Sequence, residues 1–411
     1  MLRRTSRTAL GAGLLVLAFA CGGGGSSSPA PAPAAPSVPT SLAAAGSLRN
    51  IRLTWTASTG AGLTGYNVYR STDGSSFAKL NPAPVAATLY DDAIASPAGD
   101  GVVYHYQVTA VGALESAASA RVKALHGTRI PASSSSGFTT LVAGSPYVAE
   151  GSVVINGGDL VVDTGTALYV PDGASIDVEQ GNGITAGRLY VKGLMRVLAA
   201  SSAPATFTSH RAGGALANDE GFHLFFDGAV NFNPADGSGT LVQNANLQNL
   251  KSVTPGGGVT IRNCAPKLAH CKLTGNSATG TVYILFTQGC GALVQNCLFT
   301  KVAPSVNADL RATGFKLSFN RFRGGYYAFY VGDATLAGFN LGQVDSNDFD
   351  GTKEAGIFLP PGSATVQIGG NYWNGGTGTP PIPAETPSYA TIHYQFSSAL
   401  TSAPAGAGPN W

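Results

Sequence analysis

Six short segments in the C-terminal part of the chain share one pattern, a small residue, any residue, then a large apolar one. They are Ala245-Asn246-Leu247, Cys271-Lys272-Leu273, Cys297-Leu298-Phe299, Asn320-Arg321-Phe322, Asn347-Asp348-Phe349 and Asn371-Tyr372-Trp373, and their first residues lie 26, 26, 23, 27 and 24 positions apart. A repeat of this length admits few folds, because one copy cannot bury its own apolar side and must stack on the next. Short apolar runs separated by Gly-rich turns suit one coil of a parallel β-helix, with about three short strands per coil and about 4.8 Å between coils. Leucine-rich repeats have a similar period, but their LxxLxLxxN signature is missing.

Stacking turns sequence spacing into contact. Leu247, Leu273, Phe299, Phe322, Phe349 and Trp373 are expected to form one internal apolar ladder, with Asn320, Asn347 and Asn371 stacked at the adjoining bend. A buried Asn survives there only if its amide bonds to its neighbours above and below and to turn backbone. Lower in the stack that column reads Ala245, Cys271, Cys297, and Cys264 and Cys290 form a second vertical pair. In an oxidising compartment either pair could close a disulfide, although parallel stacking does not by itself give the Cβ geometry, and stacked free thiols are the expectation. The four Cys occupy two coil positions without CxxC spacing, so a zinc site is a poor reading.

Residues 39–126 have a different rhythm. Ile51, Leu53 and Trp55 alternate, as do Tyr66 and Val68 in GYNVYRS and Tyr104, Tyr106, Val108 and Ala110 in YHYQVTAV, with the turn Asp73-Gly74 between. Short alternating strands separated by turn residues predict a β-sandwich. The Trp on the second strand, the GYxVYRS strand and the late YxYxVxAV strand resemble the fibronectin type III family across nearly the whole segment. That resemblance implies a tyrosine-corner role for Tyr104. The segment contains no Cys and no Arg-Gly-Asp, so neither a bridged core nor the family's adhesive tripeptide carries over.

The region 138–411 also resembles a known group. SPYVAEGSVVINGGDLVVDTGTALYVPDG, the proline-led strand Pro204 to Ser209 ending in FTS, and the closing Asn371-Tyr372-Trp373-Asn374 are similar to the right-handed parallel β-helix of the pectin-lyase-like superfamily. Asn374 stands where an NxWG motif has Gly. The resemblance implies architecture rather than activity. The expected fold is therefore all-β, a fibronectin type III-like sandwich plus a right-handed parallel β-helix, joined by a linker at 127–137.

The N-terminus reads as an address. Arg3, Arg4 and Arg7 precede an apolar stretch from Ala9 to Ala20 and then Cys21, the charged, apolar and small-residue order of a secretory signal. Ala18-Phe19-Ala20-Cys21 resembles a bacterial lipobox, with Ala18 in place of the usual Leu. The resemblance implies cleavage before Cys21 and its acylation, hence a lipid-anchored protein of the cell envelope, at the outer membrane or cell surface. Each buried methylene of such an anchor adds roughly 0.8 kcal/mol of membrane affinity. Residues 22–38 are Gly, Ser, Pro and small residues, which cannot bury enough surface to fold and are expected to act as a tether.

Chemistry is sparse. The net charge of +2 and the lack of a Lys/Arg run outside the first residues leave no electrostatic footprint for nucleic acid. Carbohydrate-cleaving sites need clustered carboxylates beside a basic residue. The best pair is Asp177 and Glu179, two positions apart on one strand and about 7 Å from each other; alternation alone produces such pairs, and the polar face of a strand is the preferred reading. Asp345, Asn347, Asp348 and Asp350 in DSNDFDG do not match a calcium loop and read as turn residues. His223 and His270 have no sequence neighbours suggesting a triad. No catalytic residue, cofactor or metal site is expected. Tyr283, Tyr326, Tyr330 and Phe358 alternate with apolar residues in successive coils, and outward stacking would make them a platform for sugar rings. The expected function is non-catalytic binding of a glycan or a surface protein, with the sandwich as spacer; the alternative is a lyase or hydrolase acting on acidic polysaccharide.

Overall fold

The computed structural model describes residues 33–46, 50–94, 99, 101–130, 133–134, 139–141, 146–149, 151–156, 159–180, 186–211, 216, 220–251, 258–275, 284–286, 290–300, 307–308, 315–323, 327–330, 340–341, 344–345, 347, 355–358, 366–368, 394–396, 407 and 409. It is all-β. A sandwich is followed by a parallel β-helix, and the two meet directly.

In the sandwich, strands Thr40–Gly46, Asn50–Thr56 and Leu89–Ala93 form one antiparallel sheet, and Ala78–Lys79, Gly65–Ser71, Val103–Val111 and Val122–Leu125 form the other. Alternation decides which side is core: Ile51, Leu53, Trp55, Tyr66, Val68, Tyr106, Val108 and Ala110 are all buried in one cluster. Trp55 meets the ring of Tyr66 edge-on at 5.2 Å, and the Tyr66 hydroxyl accepts the Ser58 N–H. Tyr106 donates its hydroxyl to Asp92 at 2.7 Å, which also pairs with Arg70. Tyr104 lies buried beneath the Arg70 guanidinium, 5.2 Å from its ring centre.

The β-helix is defined by strand register. Each coil contributes up to three strands, and every strand pairs in parallel with its counterpart one coil on. Sheet A runs from Thr128–Arg129 to Val344–Asp345, sheet B from Ser133–Ser134 to Arg321–Arg323, and sheet C from Thr139–Leu141 to Ala355–Phe358. The segment 127–137, expected as a linker, therefore already carries two rungs: Arg129 pairs with Val148 and Ser134 with Ile155. These rungs are too short to show a period, which hid them from the sequence.

The internal ladder is continuous. Val153, Ile176, Phe207, Leu247, Leu273, Phe299 and Phe322 are successive register partners in sheet B, all buried. Phe299 and Phe322 stack at 4.5 Å with 12° between planes. Phe349, Trp373 and Asn371 lie outside the described residues.

The bend from sheet A to sheet B explains the motif that revealed the repeat. At this bend one residue per coil takes a left-handed conformation: Asn244, His270, Asn296 and Phe319, with φ between 49° and 55°. The next residue, Ala245, Cys271, Cys297 or Asn320, turns inward and is buried. Asn320 Oδ1 accepts the Cys297 N–H (2.9 Å), and its Nδ2 donates to Val294 O (2.9 Å) and to Asn347 Oδ1 (3.0 Å). Asn347 Oδ1 likewise accepts the Asn320 N–H, and Asn347 Nδ2 donates to Leu317 O. Lower down, thiols stand in for the amide: Cys297 points at Leu268 O and Cys271 at Val242 O, carbonyls in register with Val294 and Leu317. All four Cys among the described residues are buried and free, and burial pushes the Cys264 and Cys290 thiols up to about 11 and about 12.

Two predictions follow from the bend. Asn320→Leu removes the acceptor of the Cys297 N–H and the amide donor to the Val294 carbonyl, and should cost about 2–4 kcal/mol in denaturant unfolding. Asn320→Cys should cost clearly less, since two coils already use Cys there; equal losses would show that a thiol does not stand in for the amide. Phe319 holds a conformation that disfavours bulky L-residues by about 1–2 kcal/mol, where other coils use Asn or His. Phe319→Asn should therefore raise the melting midpoint, and a lowered midpoint would contradict the strain.

Candidate functional site

On sheet C the inward positions are apolar: Leu189, Val191, Phe222, Leu224, Phe226, Val259 and Ile261 are buried. Alternation sends the residues between them to the outer face, where stacking sorts them into three columns. Tyr190 and Phe225, register partners, form the central column, and their rings stack at 4.8 Å with 16° between planes. On one side stand Asp163, Lys192, Asp227 and Arg262. On the other stand Asp159, Arg188 and His223.

Charge on this face is paired rung to rung. Arg188 makes two bonds to Asp159, at 2.9 and 2.6 Å. Arg262 Nε donates to Asp227 at 2.9 Å, while the Tyr190 hydroxyl donates to the other Asp227 oxygen at 2.6 Å. Arg262 also covers Phe225, 5.0 Å from its ring centre, and the Lys192 ammonium sits 5.1 Å from that of Tyr190. Lys192, Tyr190, Phe225 and Arg262 thus form a cation–aromatic ladder with the ring edges half-buried. The Arg262 guanidinium and the Tyr190 hydroxyl hold the Asp227 carboxyl below its usual range.

His223 is the odd member. It stacks beside Phe225 at 5.7 Å, bonds through Nε2 to the Thr260 hydroxyl at 2.9 Å, and has no partner for Nδ1 among the described residues. Burial, with Arg188 next to it, lowers its pKa to about 3. The ring is neutral at neutral pH.

Two of the residues that the sequence singled out lie on strands higher in the same sheet. Phe225, Thr260, Leu285, Asn307, Tyr330 and Phe358 are successive register partners. Tyr330 and Phe358 are therefore brought into neighbouring coils, while Tyr283, Tyr326 and the side chains of Tyr330 and Phe358 lie outside the described residues. Tyr190, Phe225, Lys192 and Arg262 were missed. Their signal was present, in GRLYVKG and FHLFFDG, but register partners here lie 35 residues apart and escape a search at a period near 25.

The carboxylate pair behaves as strand surface. Asp177 and Glu179 take the partly exposed positions of the strand Ser175–Glu179, and Asp177 is bonded to His210 Nδ1 at 3.0 Å. Asn347 of DSNDFDG is buried in the Asn ladder, and Asp348 and Asp350 lie outside the described residues. Among the described residues no three His, Cys, Asp or Glu side chains converge as metal ligands would. Every described carboxyl with a resolved shift, Asp73, Asp91, Glu115, Asp227 and Asp236, is shifted downward.

No protein-family model matches the chain, and no curated protein matches it. Among solved structures, a fibronectin type III-like protein from Clostridium thermocellum is 32% identical over 22% of this chain and 92% of its own, with a TM-score of 0.19. A pectate lyase from Erwinia chrysanthemi, solved with tetragalacturonic acid, is 12% identical over 70% of this chain and 86% of its own, with a TM-score of 0.18. A family 28 exopolygalacturonase from Yersinia enterocolitica is 10% identical over 82% and 75%, with a TM-score of 0.19.

His223 makes a pH prediction. Its folded pKa lies below its unfolded value of about 6.5, so below that pH the unfolded chain holds a proton that the folded chain refuses. The stability this group contributes is full above about 6.5 and is lost as pH falls towards 3. Thermal melts should show a steeper fall between pH 7 and pH 4 in the wild type than in His223→Phe. Parallel curves would contradict a buried neutral imidazole.

Proposed function

We propose that the protein is a lipid-anchored component of the cell envelope that binds glycan without cleaving it, along the outer face of sheet C. Carrying this reading is the cation–aromatic ladder Lys192, Tyr190, Phe225 and Arg262, on a face whose carboxylates are each matched to a cation. Two ring edges and two cationic heads lie side by side across three adjacent rungs, the mixture of apolar and polar contact that a sugar chain needs. The anchor at Cys21 and the tether at 22–38 would hold the sandwich and solenoid above the membrane.

One observation bears on the alternative, an enzyme of acidic polysaccharide. Residues 138–236 carry ten Asp and Glu against four Lys and Arg, whereas 237–332 carry nine Lys and Arg against one Asp. Basic coils would attract an acidic polymer, so uronic-acid glycans belong in any test. The test is incubation of the purified full chain with uronic-acid and neutral glycans, scoring retention and new reducing or unsaturated ends. We expect retention without new ends, weakened at least fivefold by Tyr190→Ala; product formation would establish the enzyme instead, and retention on no glycan would remove the reading.

A further inference from the structure

The sandwich and solenoid share an interface. The last sandwich strand, Val122–Leu125, passes through buried His126 and Gly127 into the first rung at Thr128. Leu125, Val148 and Tyr169 form a buried apolar cluster between the two units, flanked by Val103, Leu194 and Leu198. Gly101 lies so close to the Tyr169 ring that a Cβ there would stand 2.2 Å from it.

Beside this contact the fit is deliberately incomplete. A cleft of about 390 Å3 opens between the units, with Val103, Leu125 and Leu198 as its apolar floor. Small residues keep it open: Ala124, Ala200 and Gly151 border it, and a Cβ on Gly151 would meet nothing within 4 Å. Across the mouth Lys123 pairs with Asp172 at 2.8 Å, and the Ala200 N–H fixes the other Asp172 oxygen at 2.6 Å. Gln243 lines the cleft, in register with Leu198, and its amide makes no hydrogen bond among the described residues.

We propose that this cleft is a second binding site, taking a neutral saccharide. Lys123 and Asp172 cancel in charge, which disfavours an ionic ligand. Lys123 retains N–H donors and Gln243 offers both a donor and an acceptor, matching hydroxyl groups at a ring edge. The apolar floor matches the C–H face of a pyranose, and the volume holds roughly one to two rings, in the size range of small-ligand sites at domain junctions. This inference stands apart from the sheet C reading, since it uses neither its residues nor its face. Because both units build the cleft, an occupied site would also stabilise their docking.

The test is titration of the full chain with methyl glycosides of glucose, galactose, mannose and N-acetylglucosamine and their disaccharides, with glucuronate and glucosamine as charged counterparts, followed by calorimetry and saturation-transfer NMR. At least one neutral sugar should bind, Gln243→Ala and Lys123→Met should each weaken it at least tenfold, and Ala200→Phe should abolish it. Melting midpoints identify any variant that fails to fold, and Gln243→Ala, on a half-buried side chain without bonds among the described residues, keeps the test open if Ala200→Phe does. No neutral binder, a preference for either charged sugar, or binding indifferent to Gln243→Ala overturns the proposal. Loss on Tyr190→Ala but not on Gln243→Ala assigns the sugar to sheet C, sinking the cleft while leaving the earlier reading intact.

Discussion

Everything in the solenoid depends on one constraint, that a side chain facing inward must pack on its register partners in the coils above and below. Ser175 and Thr206 are partners across 31 residues, Thr206 and Asn246 across 40, and Lys272 and Leu298 across 26, yet each step is a single rung. Extra residues are expelled at the corners, because a slip of one position would turn every core residue outward. Burying a Leu or Phe side chain is worth about 1.5–3 kcal/mol, so the ladder from Val153 to Phe322 holds register against long insertions.

The corners obey a second rule, set by hydrogen bonding rather than packing. A one-residue bend leaves a backbone N–H and a carbonyl facing the core, and something must satisfy them. Asn320 and Asn347 do so with both ends of an amide. Cys271 and Cys297 supply only a weak donor, but they fill the same space without bringing an unpaired acceptor. The free thiols of Cys271 and Cys297 are thus part of the bend's chemistry, and burial raises that of Cys297, which makes it a poor nucleophile.

The regular coils from Leu247 to Phe322 and the alternating strands of the sandwich were legible because they rest on local patterns with a fixed period. The first rungs at Thr128 and Ser133 were not, since strands of two residues carry no pattern. Sheet C's register was legible only in part: Tyr330 and Phe358 are register partners in coils of ordinary length, whereas Tyr190 and Phe225 are separated by a long corner. No sequence pattern announces the cleft, because Lys123, Asp172 and Gln243 meet only when two separately readable units dock. The sandwich is accordingly more than a spacer in structural terms, since it supplies one wall of that cleft and buries Tyr169.

The central claim is that distance along the solenoid counts rungs, not residues. Ser175, Thr206, Asn246, Lys272, Leu298 and Arg321 form one outward column of sheet B, five rungs from end to end. The backbones at Ser175 and Arg321 should lie roughly 24 Å apart, and those at Ser175 and Lys272 roughly 14 Å apart, at about 4.8 Å per rung, and spin labels add the same offset to both. Pulsed electron–electron resonance on those two pairs reads the difference directly. A gap of about 10 Å between the two distances supports the stacked register; equal distances, or broad distributions with no resolved separation, would contradict it.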